Sequence, residues 1–233
     1  MNKALVITGG SRGIGLATSN LFSESGYKII NLSRSKSNLD MAHNIKVDLS
    51  TKGWEKEISK NLVLLCQDMD QISLIHNACL MTGDNIESIE ADSFRNILEI
   101  NLISPVILNT LLIPLMNKGS SIVYVGSSLA TKAVAQMTSY VTTKHAMVGL
   151  MKSTTKDLDG KFIHSACVCP GSTNTEMLRD YVGGSEEALA GLAQDTSEKR
   201  LIEPSEIASA ILFCAQNPVV NGTILHTNLG AIE

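Results

Sequence analysis

The chain has 233 residues, 44% apolar and 18% charged, with a formal net charge of −4. That length supports one sizeable core and most simply one domain over 1–233, and the acidic balance excludes a general attraction to nucleic acid or anionic membrane. Its cysteines (Cys66, Cys79, Cys167, Cys169 and Cys214) are odd in number and lack the spacing of a disulfide framework, so free thiols in a reducing cytoplasm are expected, and no metal site is.

Met1-Asn2-Lys3 leads into Ala4-Leu5-Val6-Ile7, too short for a signal peptide and read as a first strand. Thr8-Gly9-Gly10-Ser11-Arg12-Gly13-Ile14-Gly15 follows and opens a segment with helical spacing at Ile14, Ala17, Leu21 and Phe22. Glycines permit φ > 0 and leave the backbone bare toward a ligand. The helix start beyond them aims free N–H groups and a positive dipole end at the turn, a geometry that suits phosphate. A strand–helix turn without a ligand is the alternative. Tyr27–Leu32 reads as strand two, and Ile45–Val47, ending at Asp48, as strand three. Trp54, Ile58, Leu62 and Leu65 share one helical face. Ile72–Ile75 is strand four, ending in His76-Asn77-Ala78. Asp92 to Met116 is helical in pattern despite Pro105, which should kink it or leave one carbonyl unpaired. No run of about 18 apolar residues is present, so no membrane span is expected. Ser121–Val125 is strand five, Tyr140–Lys156 a helix, and Phe162–Val168 strand six, stopped by Pro170-Gly171. Ile207–Ala215 is a helix started by Pro204-Ser205-Glu206, and Thr223–His226 closes the chain as a strand. The least regular stretch, residues 175–200, is polar and acidic and is the candidate substrate lid.

Alternating β-branched strands and amphipathic helices argue for an α/β fold: a doubly wound, mostly parallel sheet of about seven strands in a three-layer sandwich. Ligands bind such sheets beyond the carboxyl ends of the strands, at the switch point. The glycine turn, Asp48, Asn77, Gly126-Ser127 and Pro170-Gly171 all fall there.

Tyr140 and Lys144 are four apart and share a helical face. A nearby ammonium stabilises a phenolate, which makes the pair a candidate proton donor and acceptor. Two surface residues at a common spacing are the alternative. Thirteen residues upstream, Ser127 could hold a carbonyl oxygen, though Ser128 offers the same hydroxyl. Asn101 sits in an otherwise apolar helical stretch, where a buried amide must be hydrogen-bonded.

Thr8-Gly9-x3-Gly13-x-Gly15, Asn77-Ala78, Asn101, Ser127, Tyr140-x3-Lys144 and Pro170-Gly171-x3-Thr175 occur in this order. Together they resemble the short-chain dehydrogenase/reductase family in its small single-domain form, over essentially the whole chain. The resemblance implies a Rossmann-like fold and an NAD(P)-dependent oxidoreductase acting on a small-molecule carbonyl or alcohol. It implies Tyr140 as acid/base, Lys144 on the nicotinamide ribose, Ser127 orienting the carbonyl and Asn101 holding a relay water. The cofactor would lie on Gly9, Ser11, Arg12, Gly13, Ile14 and Gly15, on Ser33, Arg34, Asp48 and Leu49, and on Asn77 and Ala78. Pro170, Gly171, Thr173 and Thr175 would complete its cradle. The resemblance also implies a homodimer or homotetramer packed through the two long helices. Ser33-Arg34-Ser35 has no acid to repel a 2′-phosphate, and with Arg12 it favours NADP(H) over NAD(H). The alternatives are a 3-oxoacyl thioester reductase within the family and a non-catalytic dinucleotide sensor or scaffold. Three positions depart from the family pattern: Cys79 replaces a glycine after Asn77-Ala78, Thr227-Asn228-Leu229-Gly230 replaces Val-Asp-Gly-Gly, and the Asp157–Phe162 connection is short.

Overall fold

The computed structural model describes residues 1–231. Strands β1 (Lys3–Thr8), β2 (Tyr27–Ser33), β3 (His43–Lys46), β4 (Gln71–His76), β5 (Ser121–Val125), β6 (His164–Pro170) and β7 (Ile224–Thr227) form one sheet in the order β3-β2-β1-β4-β5-β6-β7. Every pairing is parallel. The chain winds outward from β1 through β2 to β3, then returns to lay β4 on β1's other side. The seam between β1 and β4 is therefore the switch point.

The helices are α1 (Gly13–Glu24), α2 (Trp54–Cys66), α3 (Ala91–Leu98), α4 (Ser104–Leu112), α5 (Thr138–Asp157), α6 (Glu176–Tyr181), α7 (Glu186–Gln194) and α8 (Pro204–Gln216). α2, α4 and α5 bury Trp54, Ile58, Leu62, Leu108, Leu112, Met147 and Met151 on one face of the sheet. α1 and α8 bury Phe22, Ile207, Ile211 and Cys214 on the other. This is the expected doubly wound three-layer sandwich. Thr175 and Ser185 cap α6 and α7 by accepting backbone N–H groups, so the stretch read as irregular holds two short helices.

The Asp92–Met116 segment is continuous only in part. A wide π-type turn, Glu99–Ile103, joins α3 to α4. Pro105 has no N–H for the Asn101 carbonyl four residues earlier. Ser104 compensates nearby, its backbone N–H and its hydroxyl both donating to the Glu99 carbonyl. The whole stretch, Ala91–Leu115, is long and apolar enough to cross a membrane by length and composition, contrary to the expectation above. Its buried apolar residues, Ile97, Leu108 and Leu112 among them, pack inside the sandwich and account for part of that apolarity.

Four buried groups cross the layers beneath β4. His76 Nε2 lies 2.8 Å from Asn109 Oδ1, Asn109 Nδ2 donates to the Tyr124 hydroxyl at 2.7 Å, and that hydroxyl lies 2.9 Å from Thr154 Oγ1.

Candidate functional site

At the switch point the side chain of Thr8 and the amide of Asn77 staple β1 to β4. Asn77 and Ala78 donate their backbone N–H groups to Thr8 Oγ1 at 3.0 and 2.9 Å, and Asn77 Nδ2 donates to the Thr8 and Gly9 carbonyls at 3.0 and 3.1 Å. Gly10 N–H donates to the buried Asn31 Oδ1 on β2 at 2.9 Å. The turn is thus fixed by both neighbouring strands. A Cβ on Gly15 would collide with the Gly9 carbonyl and stand 2.6 Å from Asn77 Nδ2. Gly9 and Gly13 hold φ of +68° and +52°. α1 begins with no side-chain cap and no acid in its first turn. Its free N–H groups and positive dipole end therefore face the turn with no acid of their own helix against them, which suits the pyrophosphate of a dinucleotide.

One cavity of about 760 Å³ runs from this turn across the carboxyl ends of the strands. Its wall includes the predicted Gly9, Ser11, Arg12, Gly13, Ile14, Gly15, Ser33, Arg34, Asp48, Leu49, Asn77 and Ala78. Ser127, Tyr140, Lys144, Pro170, Gly171, Thr173 and Thr175 line it too. Asn101 does not. It stands one layer behind, fully buried: its Oδ1 accepts the Leu80 N–H at 2.8 Å, while Nδ2 donates to the Leu80 carbonyl and to Thr143 Oγ1, each at 3.0 Å. Its amide is spent on holding the loop after β4 against α5.

Tyr140 and Lys144 lie one turn apart on α5, 8% and 1% exposed, with the ammonium 5.4 Å from the ring centroid. Lys144 Nζ donates to the Val125 carbonyl at 2.8 Å, and that bond anchors the ammonium under the phenol. Burial raises the Tyr140 pKa. Lys144 and the Ser127 hydroxyl pull it down, the Cys79 thiol pushes it up, and the net direction is upward. The ammonium thus acts as expected, yet desolvation outweighs it. Burial pulls Lys144 down, but Cys79, Tyr140, Cys167 and Cys169 around it leave its pKa raised. Ser127 takes a second role, its Oγ accepting the Leu129 N–H at 3.1 Å.

Behind this pair, Cys167 and Cys169 project from the same face of β6 with sulfurs 3.7 Å apart. Gly126 lies flat against them, where a Cβ would meet either sulfur at 2.8 Å. All five cysteines are free, and no group of metal-ligating side chains forms among the described residues.

At the end of the cavity beside β2, Arg12, Ser33, Arg34, Ser35 and Lys36 line the wall. Asp48 also lies there. Its carboxyl is held below the usual range chiefly by hydrogen bonds from Ser50, with a smaller pull from the Arg34 guanidinium.

Sequence reasoning missed three contributors. Asn31 interrupts the apolar run Ile29-Ile30-Asn31-Leu32, and that interruption was its signal. Cys79 was noted as a departure, but its sulfur lies beside the phenol and 3.8 Å from Met177 Sδ on α6. The apolar side of α6 and α7 was hidden by their acidic composition.

A family model described as short chain dehydrogenase matches residues 3–184. A short chain dehydrogenase of Penicillium rubens, adrF, is 29% identical over 95% of this chain and 93% of its own. The 3-oxoacyl-(acyl-carrier-protein) reductase FabG of Vibrio cholerae is 29% identical over 98% of this chain and 96% of its own. The ligand-free aldohexose dehydrogenase of Thermoplasma acidophilum superposes with a TM-score of 0.89 at 27% identity, over 98% of this chain and 94% of that one. A family match over most of the length, on a seven-stranded parallel sheet whose switch point carries the glycine turn, places this chain in the short-chain dehydrogenase family, as an NAD(P)-binding oxidoreductase.

Proposed function

We propose that this protein is an NADP(H)-dependent reductase of a small-molecule carbonyl, or catalyses the reverse oxidation, with Tyr140 as the acid/base. The observation that carries this reading is the Tyr140–Lys144–Ser127 cluster, set at the far end of the same cavity as the glycine turn. When bound, the nicotinamide supplies the hydride that the carbonyl carbon receives. Ser127 and Tyr140 donate hydrogen bonds to the carbonyl oxygen and stabilise the charge that grows there. Tyr140 then gives its proton to that oxygen. The upward direction of its pKa keeps the phenol protonated, the form that reduction needs. Lys144, anchored on Val125, stabilises the phenolate left behind. Gly9, Gly13 and Gly15 bring bare backbone to the pyrophosphate, and Thr173 and Thr175 close the cradle opposite.

Arg12 and Arg34, with the hydroxyls of Ser33 and Ser35, support NADP(H) over NAD(H). Free cysteines support a reducing, cytoplasmic setting. The outer side of the α3–α4 segment exposes Ile103 and Val106, which supports pairing of copies into a homodimer or homotetramer.

The test is a cofactor-oxidation screen over carbonyl compounds with NADPH and NADH in parallel. Tyr140→Phe should lower turnover by roughly 100- to 10,000-fold with NADPH affinity retained. Near-normal rates in that variant would refute the mechanism. Similarity to FabG favours a second reading, a 3-oxoacyl thioester substrate, so the screen includes one.

A further inference from the structure

We propose that the substrate of this site is an uncharged, apolar ketone or aldehyde, gripped by a thioether-rich half-pocket that α6 closes from above. The inference rests on the reductase reading and deepens it. Beyond Tyr140 the cavity wall includes Met81, Leu129, Met137, Met177, Tyr181 and Leu192. Cys79, Leu80, Met81, Leu129 and Met137 pack as one apolar cluster around the Tyr140 ring. α6 meets this cluster at Cys79 and comes near the loop at Gly83. Met177 Sδ lies 3.8 Å from Cys79 Sγ, and the Tyr181 ring lies 3.8 Å from where a Cβ on Gly83 would stand.

Several of the charges that made this segment look polar point elsewhere. Arg179 donates to Asn174 and Glu186 on the outer side. Glu176 turns to the cofactor end, its Oε2 3.6 Å from where a Cβ on Gly13 would stand. Asp84 is occupied by the Ser139 N–H. Lys132 and Asp195 complete this half of the wall and are opposite in sign, so they add no net charge. A charged or heavily hydroxylated substrate would place most of its polar groups against thioethers and leucine, at a desolvation cost that Lys132 and Asp195 repay only in part. An apolar substituent bears no such cost. Three methionines make the wall adaptable to linear and aromatic shapes alike, because thioether side chains refit at low cost. Ser127 and Tyr140 hold the carbonyl and therefore fix the orientation.

The experiment measures kcat/KM for methyl ketones of increasing chain length and for aryl ketones. The comparison set is hydroxylated ketones and sugars of matched size, plus a 3-oxoacyl thioester, with NADPH affinity followed separately by fluorescence titration. The expected result is a rise of about fourfold per added methylene until the pocket is filled, the factor for about 0.8 kcal/mol per buried CH₂. In Met177→Glu that rise should flatten while NADPH affinity holds. A flat chain-length series, or preference for the hydroxylated or thioester compounds, overturns this proposal and leaves the reductase reading standing. Intact NADPH binding with no turnover of any carbonyl overturns the reductase reading, and the proposal with it.

Discussion

His76 offers a test of the fold's energetics that does not depend on substrate. Its ring is buried against Tyr124, with centroids 4.8 Å apart, and is hydrogen-bonded to Asn109. Burial drives its pKa from 6.5 to about 4, with Asn109 opposing only in part. Unfolding returns the imidazole to water, where it titrates near its ordinary value. Between those two pH values the unfolded chain binds a proton that the native chain refuses, so stability rises with pH. The contribution is fully present above the unfolded pKa of 6.5 and is lost as the pH falls to about 4. At 1.36 kcal/mol per pH unit the loss is about 3 kcal/mol. His76→Gln keeps an N–H for Asn109 but cannot titrate. Urea unfolding of both proteins can follow Trp54, the sole tryptophan and 2% exposed, at a fixed protomer concentration. The variant pays one constant cost for repacking, and the gap between the two stabilities should shrink by about 3 kcal/mol from neutral pH to about pH 4. His164, also buried and also shifted down, titrates in both proteins and cancels in the difference. Two stability curves that run parallel over that range would refute the assignment of a buried neutral His76.

Cys79→Gly removes a group that pushes the Tyr140 pKa up; the limb of the pH–rate profile assigned to the phenol should move to lower pH, and an unmoved limb would show that the thiol does not act on it. Arg34→Leu should weaken NADPH binding by roughly tenfold or more, the worth of a charge-assisted bond to phosphate, with NADH binding nearly unchanged; equal losses for both cofactors would count against a 2′-phosphate contact. Gly15→Ala places a methyl against the Gly9 carbonyl and Asn77, so dinucleotide affinity should fall severely while far-UV circular dichroism stays native, and retained affinity would mean that the turn can open.

The sheet and the cavity wall were legible because each rests on a local pattern. Alternating apolar strands and helices, with turn residues at the strand ends, are enough to predict a doubly wound sheet. The glycine spacing and the Tyr140–Lys144 pair each sit inside one element. What escaped depends on groups far apart in sequence. The partners of the Asn101 amide, Leu80 and Thr143, are settled only when the loop after β4 meets α5. The sign of the Tyr140 shift turns on how deeply the phenol is buried, which spacing to Lys144 cannot disclose. Residues 175–200 misled through composition: helical folding leaves Asp180, Glu186 and Glu187 exposed and turns Met177 and Leu192 toward the cavity, beside Glu176 and Asp195.

The unequal depth of the five thiols has a practical consequence. Cys66, Cys167, Cys169 and Cys214 are sealed in the core, whereas Cys79 stands partly open on the wall of the cavity. A mild alkylating reagent should therefore consume one equivalent per protomer in the native state, and the rate of that reaction becomes a gauge of what fills the cavity. Occupancy by cofactor or by an apolar ketone can then be titrated without turnover, against a residue that nature has already placed as the reporter.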